Sequence, residues 1–263
     1  MTDDPILNEP QLEGAGLSSV PPPPVEPLSI SDKFIGILTE PSATYENVRA
    51  AGARTSDWLI PIAISAVILA VGMFLRFSNP EFVTMMMEKQ AQSMTESVNS
   101  GKMTQEQADQ ATEQMESMKG FIKITGTVFP AIGVVIMFFF FSLIYWLAVR
   151  FGMKGDVTYA LVLSIAGLSA YISSIDQLVG LLLMFVTDNP FANLSPALFF
   201  DGDITSMSTR FLMLVNPITI WSYYVLGIGF EKVANISRTK AMIVAFGIWI
   251  LFSLLGSLLG FGM

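Results

Sequence analysis

The chain has 263 residues, of which 52% are hydrophobic and only 14% charged, and its formal net charge is −8. Soluble domains are roughly 25% charged, so this composition predicts an integral membrane protein. The absence of cysteine and histidine excludes disulfide scaffolds, Cys/His zinc sites and catalytic triads. The acidic balance argues against nucleic-acid binding.

Residues 1–28 are predicted to form a disordered, acidic, proline-rich tail. Asp3 and Asp4 precede any basic residue or apolar run, so this segment is not a secretory signal. The first span would then act as an uncleaved insertion signal. Four consecutive prolines at 21–24 favour an extended spacer, and a proline-binding partner is the less favoured alternative.

Residues 29–56 are predicted to form two amphipathic juxtamembrane helices separated at Pro41. Ile30, Phe34, Ile37 and Leu38 repeat at helical spacing, whereas Lys33 is expected on another face. An apolar-faced helix before a span lies most simply in the membrane interface. Docking on the protein's own bundle explains the same pattern.

Residues 57–263 are predicted to form a membrane domain of five transmembrane helices, giving an all-α integral membrane protein. Each of five apolar blocks is long enough for a hydrocarbon core of roughly 30 Å. The blocks are 58–77, 121–149, 159–186, 211–230 and 241–262. Pro130 and Pro217 predict kinks or late helix starts in the second and fourth blocks.

Residues 81–120 are predicted to form a soluble helical hairpin between the first two spans. Two apolar stripes repeat at helical spacing on either side of a turn at 99–102. Thr104 and Gln107 form a capping box that would begin the second helix. The hairpin methionines could bind copper(I), but packing is the stronger interpretation because no His or Cys accompanies them, so we predict no metal site and no cofactor.

Basic residues near the span ends predict the orientation. Two compact loops carry Arg150 and Lys154, and Lys232, Arg238 and Lys240, on the same side as the N-terminus. The positive-inside rule therefore predicts a cytoplasmic N-terminus, an extracytoplasmic C-terminus and an extracytoplasmic hairpin in a cell membrane.

Asp176 is the most unusual polar residue of the predicted spans. An ionised aspartate at mid-membrane costs about 2.5–3.5 kcal/mol on insertion scales, so it should face the bundle interior or water. It could couple transport to a proton or an ion. Equally, it could be a structural hydrogen-bonding group, with Ser173, Ser174 and Gln177 as local partners.

Two further patterns concern the fourth and fifth blocks. Asn216 and Pro217 could break the fourth helix and expose carbonyl groups, although a helix start at the interface is the commoner explanation. Gly256 and Gly260 have the small-xxx-small spacing of close helix packing. That packing could occur within one bundle or between protomers, so a homo-oligomer is possible.

Three segments resemble the Yip family, the Ypt- and Rab-interacting membrane proteins and their bacterial relatives. They are Phe34–Tyr45 with the following Trp58–Pro61, Lys154–Ser164, and Asn216–Ala241. The resemblance covers residues 30–263 and implies a five-span fold with a cytoplasmic N-terminus. Eukaryotic members are associated with Rab GTPases and vesicle traffic. The long hairpin and missing cysteines here indicate a bacterial-type member, for which the family implies no catalytic residue.

Two functions are consistent with these features. The first is a non-enzymatic membrane scaffold or adaptor for a protein partner, embedded in the lipid bilayer. The alternative is a small transporter or permease component that uses Asp176 as its coupling carboxylate. A lipid-organising role rests only on the amphipathic N-terminal helix and is the weakest hypothesis.

Overall fold

The computed structural model describes residues 25–200 and 206–259, which form helices, turns and loops without a strand. The predicted tail up to residue 24, and Gly260, lie outside the described residues. A π-helical turn follows α6, and a 3-10 turn lies between α7 and α8. The helices are α1 (Ile30–Thr39), α2 (Pro41–Ala51), α3 (Ser56–Ser78), α4 (Pro80–Asn99), α5 (Gln105–Ser117), α6 (Lys119–Leu147), α7 (Tyr159–Thr187), α8 (Met207–Leu214), α9 (Pro217–Ala234) and α10 (Arg238–Leu259).

The all-α membrane fold is confirmed. The helices α3, α6, α7 and α10 are each long and apolar enough to cross a bilayer. The fifth span, predicted over 211–230, falls on the pair α8 and α9, which is long and apolar enough to cross only if the two helices, bent by 53°, form one span. Pro217 is the first residue of α9, so the helix begins again there rather than continuing through the proline.

The hydrophobic core lies in the half of the bundle that faces α1 and α2. Tyr45, Ile165 and Phe230 are 0% exposed there. Glycine permits this close packing, because a Cβ on Gly167 would meet the backbone of Trp58 in α3. The centre of the bundle is α7, which packs against α3, α6 and α9.

The helices α1 and α2 dock on the bundle, as the second explanation of their apolar pattern predicted. Ile37 is fully buried and Leu38 packs against the core. The ring of Phe34 meets that of Tyr171 edge-on at 5.1 Å, whereas Ile30 stays half exposed. The outer edge of α1 therefore remains apolar and accessible.

The expected position of Lys33 was wrong. Lys33 is 3% exposed and is buried on the same side of α1 as Ile37, although the helical pattern placed it on another face than the apolar residues. Its Nζ lies 2.6 Å from Oδ1 of Asp57, the second residue of α3, and this ion pair is buried on both sides. Oδ2 of Asp57 also accepts from the backbone N–H of Arg54 at 3.2 Å. The opposite charge of Asp57 thus explains why Lys33 is buried, which apolar periodicity could not predict.

The predicted hairpin between the first two spans is confirmed as α4 and α5. Thr104 and Gln107 form the reciprocal capping box at the start of α5. Phe82, near the base of α4, is 4% exposed, and its ring packs against Phe77 and Phe191. Beyond this base most of the described hairpin side chains are exposed or half-exposed. We call the side of the bundle from which the hairpin projects the hairpin side.

Candidate functional site

Asp176 lies on α7, eleven residues before the end of the helix, and connects two spans. Its Oδ1 accepts a hydrogen bond from Nδ2 of Asn216, and its Oδ2 accepts one from the Thr219 hydroxyl, both at 2.8 Å. The carboxylate therefore faces the interior of the bundle, as a charged group in a membrane should. Two neutral donors satisfy one lone pair on each oxygen.

Asn216 holds the break between α8 and α9. It is the N-cap of α9, and its Oδ1 accepts from the backbone N–H groups of Ile218 and Thr219. With Nδ2 bound to Asp176, both ends of this buried side-chain amide have partners. Pro217 follows as the first helical residue, where its missing N–H has no effect on the helix. The bend is therefore fixed by specific hydrogen bonds.

The partners of Asp176 differ from those expected. Ser174 bonds to Ser65 of α3 at 2.7 Å, and Ser173 bonds to Ser222 of α9 at 3.0 Å. These serines tie α7 to neighbouring helices and do not bond to Asp176. Thr219 was missed, although its position three residues after Asn216 places both on one helix face.

A cavity of ≈ 650 Å³ opens beside Asp176, in the half of the bundle without the buried core. It lies between α3, α7, the α8–α9 break and α10. Four residues that the sequence analysis named as candidates line this cavity together: Asp176, Gln177, Asn216 and Gly256. Since ligand cavities are typically about 300–1,000 Å³, this one is large enough for a small molecule.

Two arginines also line this cavity, and the sequence analysis used neither as a site residue. Nε of Arg76 donates to the Pro190 carbonyl, and Nη1 of Arg210 donates to the Ser257 carbonyl, both at 2.9 Å. Among the described residues, no carboxylate lies within 4.0 Å of either guanidinium. Nε of Arg210 is buried without a hydrogen-bond partner, as is Oε1 of Gln177.

The base of the hairpin forms part of the cavity wall. Phe82 of α4 lines the cavity together with Pro190 and Phe191, which belong to the loop after α7. Arg76 bonds to this loop, and Phe82 packs on its aromatic ring. Movement of the hairpin base would therefore change the shape of the cavity.

The opposite half of the bundle is closed by buried contacts. The hydroxyl of Tyr45 donates to the Ile165 carbonyl at 3.1 Å and lies 2.8 Å from Oγ of Ser169. Burial raises the pKa of Tyr45 well above its usual range, so the phenol stays neutral. A Cβ on Gly229 would meet Ile165 and Tyr45, so α2, α7 and α9 are in close contact.

Comparison with known proteins agrees with the resemblance of the three segments. Residues 35–259 match the family model described as the Yip1 domain. The membrane protein YknW of Bacillus subtilis (strain 168) is 29% identical over 233 residues, which cover 86% of this chain and 90% of that protein. No solved structure matches the chain significantly. The match covers most of the chain, which therefore belongs to the Yip1 domain family of membrane proteins.

Proposed function

We propose that this protein is a non-enzymatic scaffold or adaptor of the cell membrane, whose hairpin α4–α5 binds a membrane-associated partner. The observation that carries this proposal is the contrast between a tightly packed half of the bundle and a hairpin whose described side chains are mostly exposed or half-exposed. The positive-inside pattern supports an extracytoplasmic hairpin and a cytoplasmic N-terminus. The partner would then meet the hairpin outside the cytoplasm.

The surface of the hairpin supports a protein partner with a basic contact region. Between residues 80 and 117 the sequence has seven acidic and two basic residues. Glu106, Asp109 and Glu113 of α5 are all exposed. Opposite charges across an interface speed association and favour the correct partner.

The hairpin also has an apolar surface that its own packing leaves accessible. Of the residues in its two predicted apolar stripes, Ala108 is the only buried one. An open groove of ≈ 270 Å³ runs between the helices and is lined by Thr84, Met87, Glu88, Ala91, Thr112 and Met115. Flexible methionine side chains adapt well to the surface of a partner.

Photo-crosslinking in the native membrane tests this role. A photoreactive amino acid at the exposed hairpin positions Gln92 or Gln110 should capture one partner protein, whereas the same group at Thr239, on the opposite side, should not. The triple variant Glu106→Gln, Asp109→Asn, Glu113→Gln should lower the yield several-fold because it removes the charge complementarity.

The matched control removes three exposed acids elsewhere, with Glu26→Gln, Glu40→Gln and Asp156→Asn. This variant should keep the hairpin crosslink. Absence of any crosslinked protein at Gln92 and Gln110 would contradict the scaffold proposal. An equal loss of yield in both triple variants would contradict the role of the hairpin charge.

A transporter or permease component is the second candidate, favoured by the interrupted α8–α9 span beside Asp176. Transporter sites are often built at such broken helices. Alternating access would require the half of the bundle around Tyr45 and Gly229 to open, and its close contacts oppose that movement. This is why the scaffold role is preferred.

A further inference from the structure

We propose that the cavity between Arg76 and Arg210 binds an anionic amphiphile, with its phosphate or carboxylate headgroup held by the two guanidinium groups. This inference is independent of the hairpin and of its partner. It concerns a ligand site in the membrane domain, and it follows from the charge, the unused donors and the apolar lining of one cavity.

The charge balance of the cavity favours an anion. Among the described residues that line it, Arg76 and Arg210 are cationic and Asp176 is the single acid. The oxygens of Asp176 accept from Asn216 and Thr219, and among the described residues Asp176 forms no ion pair with either arginine. An arginine within a membrane requires a counter-charge, polar groups or water. An anion supplies that counter-charge.

The guanidinium groups have donors left for such an anion. Arg76 uses Nε for the Pro190 carbonyl, and neither of its terminal nitrogens forms a hydrogen bond with a described residue. Arg210 uses Nη1, and its buried Nε has no partner. Guanidinium groups bind phosphate and carboxylate through two parallel hydrogen bonds, which are about twice as strong as bonds between neutral groups.

Glycine gives Arg76 its position beside the cavity. A Cβ on Gly72 would lie 3.2 Å from Nη1 of Arg76, so the guanidinium lies back along α3 over this glycine. Both residues line the cavity. The side chain therefore lies alongside the cavity, one turn deeper than its own Cα.

The apolar part of the lining explains why the ligand should carry an apolar chain. Leu69 on α3, Leu181 on α7 and Phe252 on α10 line the same cavity. Leu69 lies two turns of α3 below Arg76, about 11 Å further into the membrane. The two guanidinium groups lie towards the hairpin side, and apolar side chains lie beside and below them in a largely apolar lining. This arrangement matches an amphiphile whose headgroup lies on the hairpin side of the bilayer.

The test measures lipid retained by the purified full chain. The protein is reconstituted in nanodiscs of equal parts phosphatidylglycerol and phosphatidylcholine, extracted in mild detergent and analysed by native mass spectrometry. Wild type should retain one phosphatidylglycerol and exclude phosphatidylcholine. The double variant Arg76→Gln, Arg210→Gln should lower retention by about tenfold or more, because two charge-assisted contacts are lost.

A second variant keeps the test valid if the arginine variant does not fold. Gly180→Leu fills the cavity without changing charge, since a Cβ there makes only an ordinary contact with the Ala192 carbonyl at 3.5 Å. It should also abolish retention. Gly133→Leu is the matched control, because a Cβ there meets nothing within 4 Å and the residue does not line the cavity.

Competition separates a lipid from a soluble anion. Displacement of phosphatidylglycerol by oleate, but not by inorganic phosphate, would support an amphiphile. Displacement by inorganic phosphate but not by oleate would overturn it in favour of a soluble anion site. Equal retention of the two phospholipids, or unchanged retention in the Gly180→Leu variant, would also overturn the proposal.

Discussion

At the scale of single residues, Asp176 shows how an acidic group is accommodated within a membrane domain. Two neutral donors from α9 reach its two oxygens at 2.8 Å. The same contacts hold the start of α9 through Asn216, the N-cap residue. These contacts predict a structural role for the carboxylate, whether or not it also carries a proton or an ion.

Replacing Asp176 distinguishes these roles. Asp176→Asn keeps one acceptor and the shape of the side chain, and the Thr219 hydroxyl can accept as well as donate. We expect a loss of about 1 kcal/mol in unfolding free energy and an unchanged hairpin crosslink. A transporter coupled through this carboxylate would instead lose ion-coupled uptake. Thermal unfolding in detergent and the crosslink yield are the measurements.

The unfolding temperature of an Asp176→Leu variant should be compared with that of Asp176→Asn. It leaves Nδ2 of the buried Asn216 without an acceptor, which costs about 1–3 kcal/mol. The leucine variant should therefore unfold at a lower temperature than the asparagine variant. Equal unfolding temperatures would contradict a hydrogen-bonding role for Asp176.

At the scale of secondary-structure elements, the buried pair of Lys33 and Asp57 attaches α1 to the first span. Both side chains are almost fully buried, with 4% and 1% exposed. Such a pair adds little net stability over apolar residues, but removing one partner leaves a buried charge. The pair therefore selects one docked position for α1.

Lys33→Met should destabilise the docked α1 by about 3–5 kcal/mol, because Asp57 loses its counter-charge. The double variant Lys33→Met, Asp57→Leu should recover much of that loss, since two apolar residues need no ion pair. Limited proteolysis after residue 25 reports α1 docking, and thermal unfolding reports the whole domain. A double variant no more stable than the single variant would contradict this account.

Local patterns in the sequence predicted elements better than they predicted contacts. The length of each apolar block, and the capping box at Thr104, are local features, and both agree with the structure. Lys33 was misplaced because its partner lies on another helix, 24 residues away. Thr219 was missed as a partner of Asp176 for the same reason, at a separation of 43 residues.

The cavity could not be predicted because its lining comes from distant parts of the chain. Apolar periodicity located each helix but not the faces that meet across the bundle. No local pattern singled out Arg76 or Arg210. Their shared cavity depends on how α3 and α8 pack around α7, which no local pattern specifies.

At the scale of the whole molecule, the two halves of the bundle have different properties. The half next to α1 and α2 contains the buried core, and the hairpin side contains the cavity. In the predicted orientation, the core half lies towards the cytoplasm and the cavity lies in the extracytoplasmic half. A partner on the hairpin and an amphiphile in the cavity would then act from the same side.

The lack of native cysteines makes this orientation directly measurable. Ser100→Cys, in the turn of the hairpin, should react with a membrane-impermeant maleimide on intact cells. Ser237→Cys, in the exposed loop before α10, should react only after the membrane is opened. The reverse labelling pattern would place the N-terminus outside. The unmodified chain is the control for background labelling.

The contact between Tyr45 and α7 can form only after α7 has been synthesised. The Tyr45 hydroxyl meets the carbonyl of Ile165 and Oγ of Ser169, which follow it by 120 and 124 residues. At about 5–20 residues per second, roughly 6–24 s pass between the synthesis of α2 and that of its docking site. Throughout that interval the apolar face of α2 needs a temporary cover, and the nearby membrane surface can provide one. An interfacial position of the N-terminal helices would then be an early stage in the life of the chain, which ends when α7 enters the bilayer.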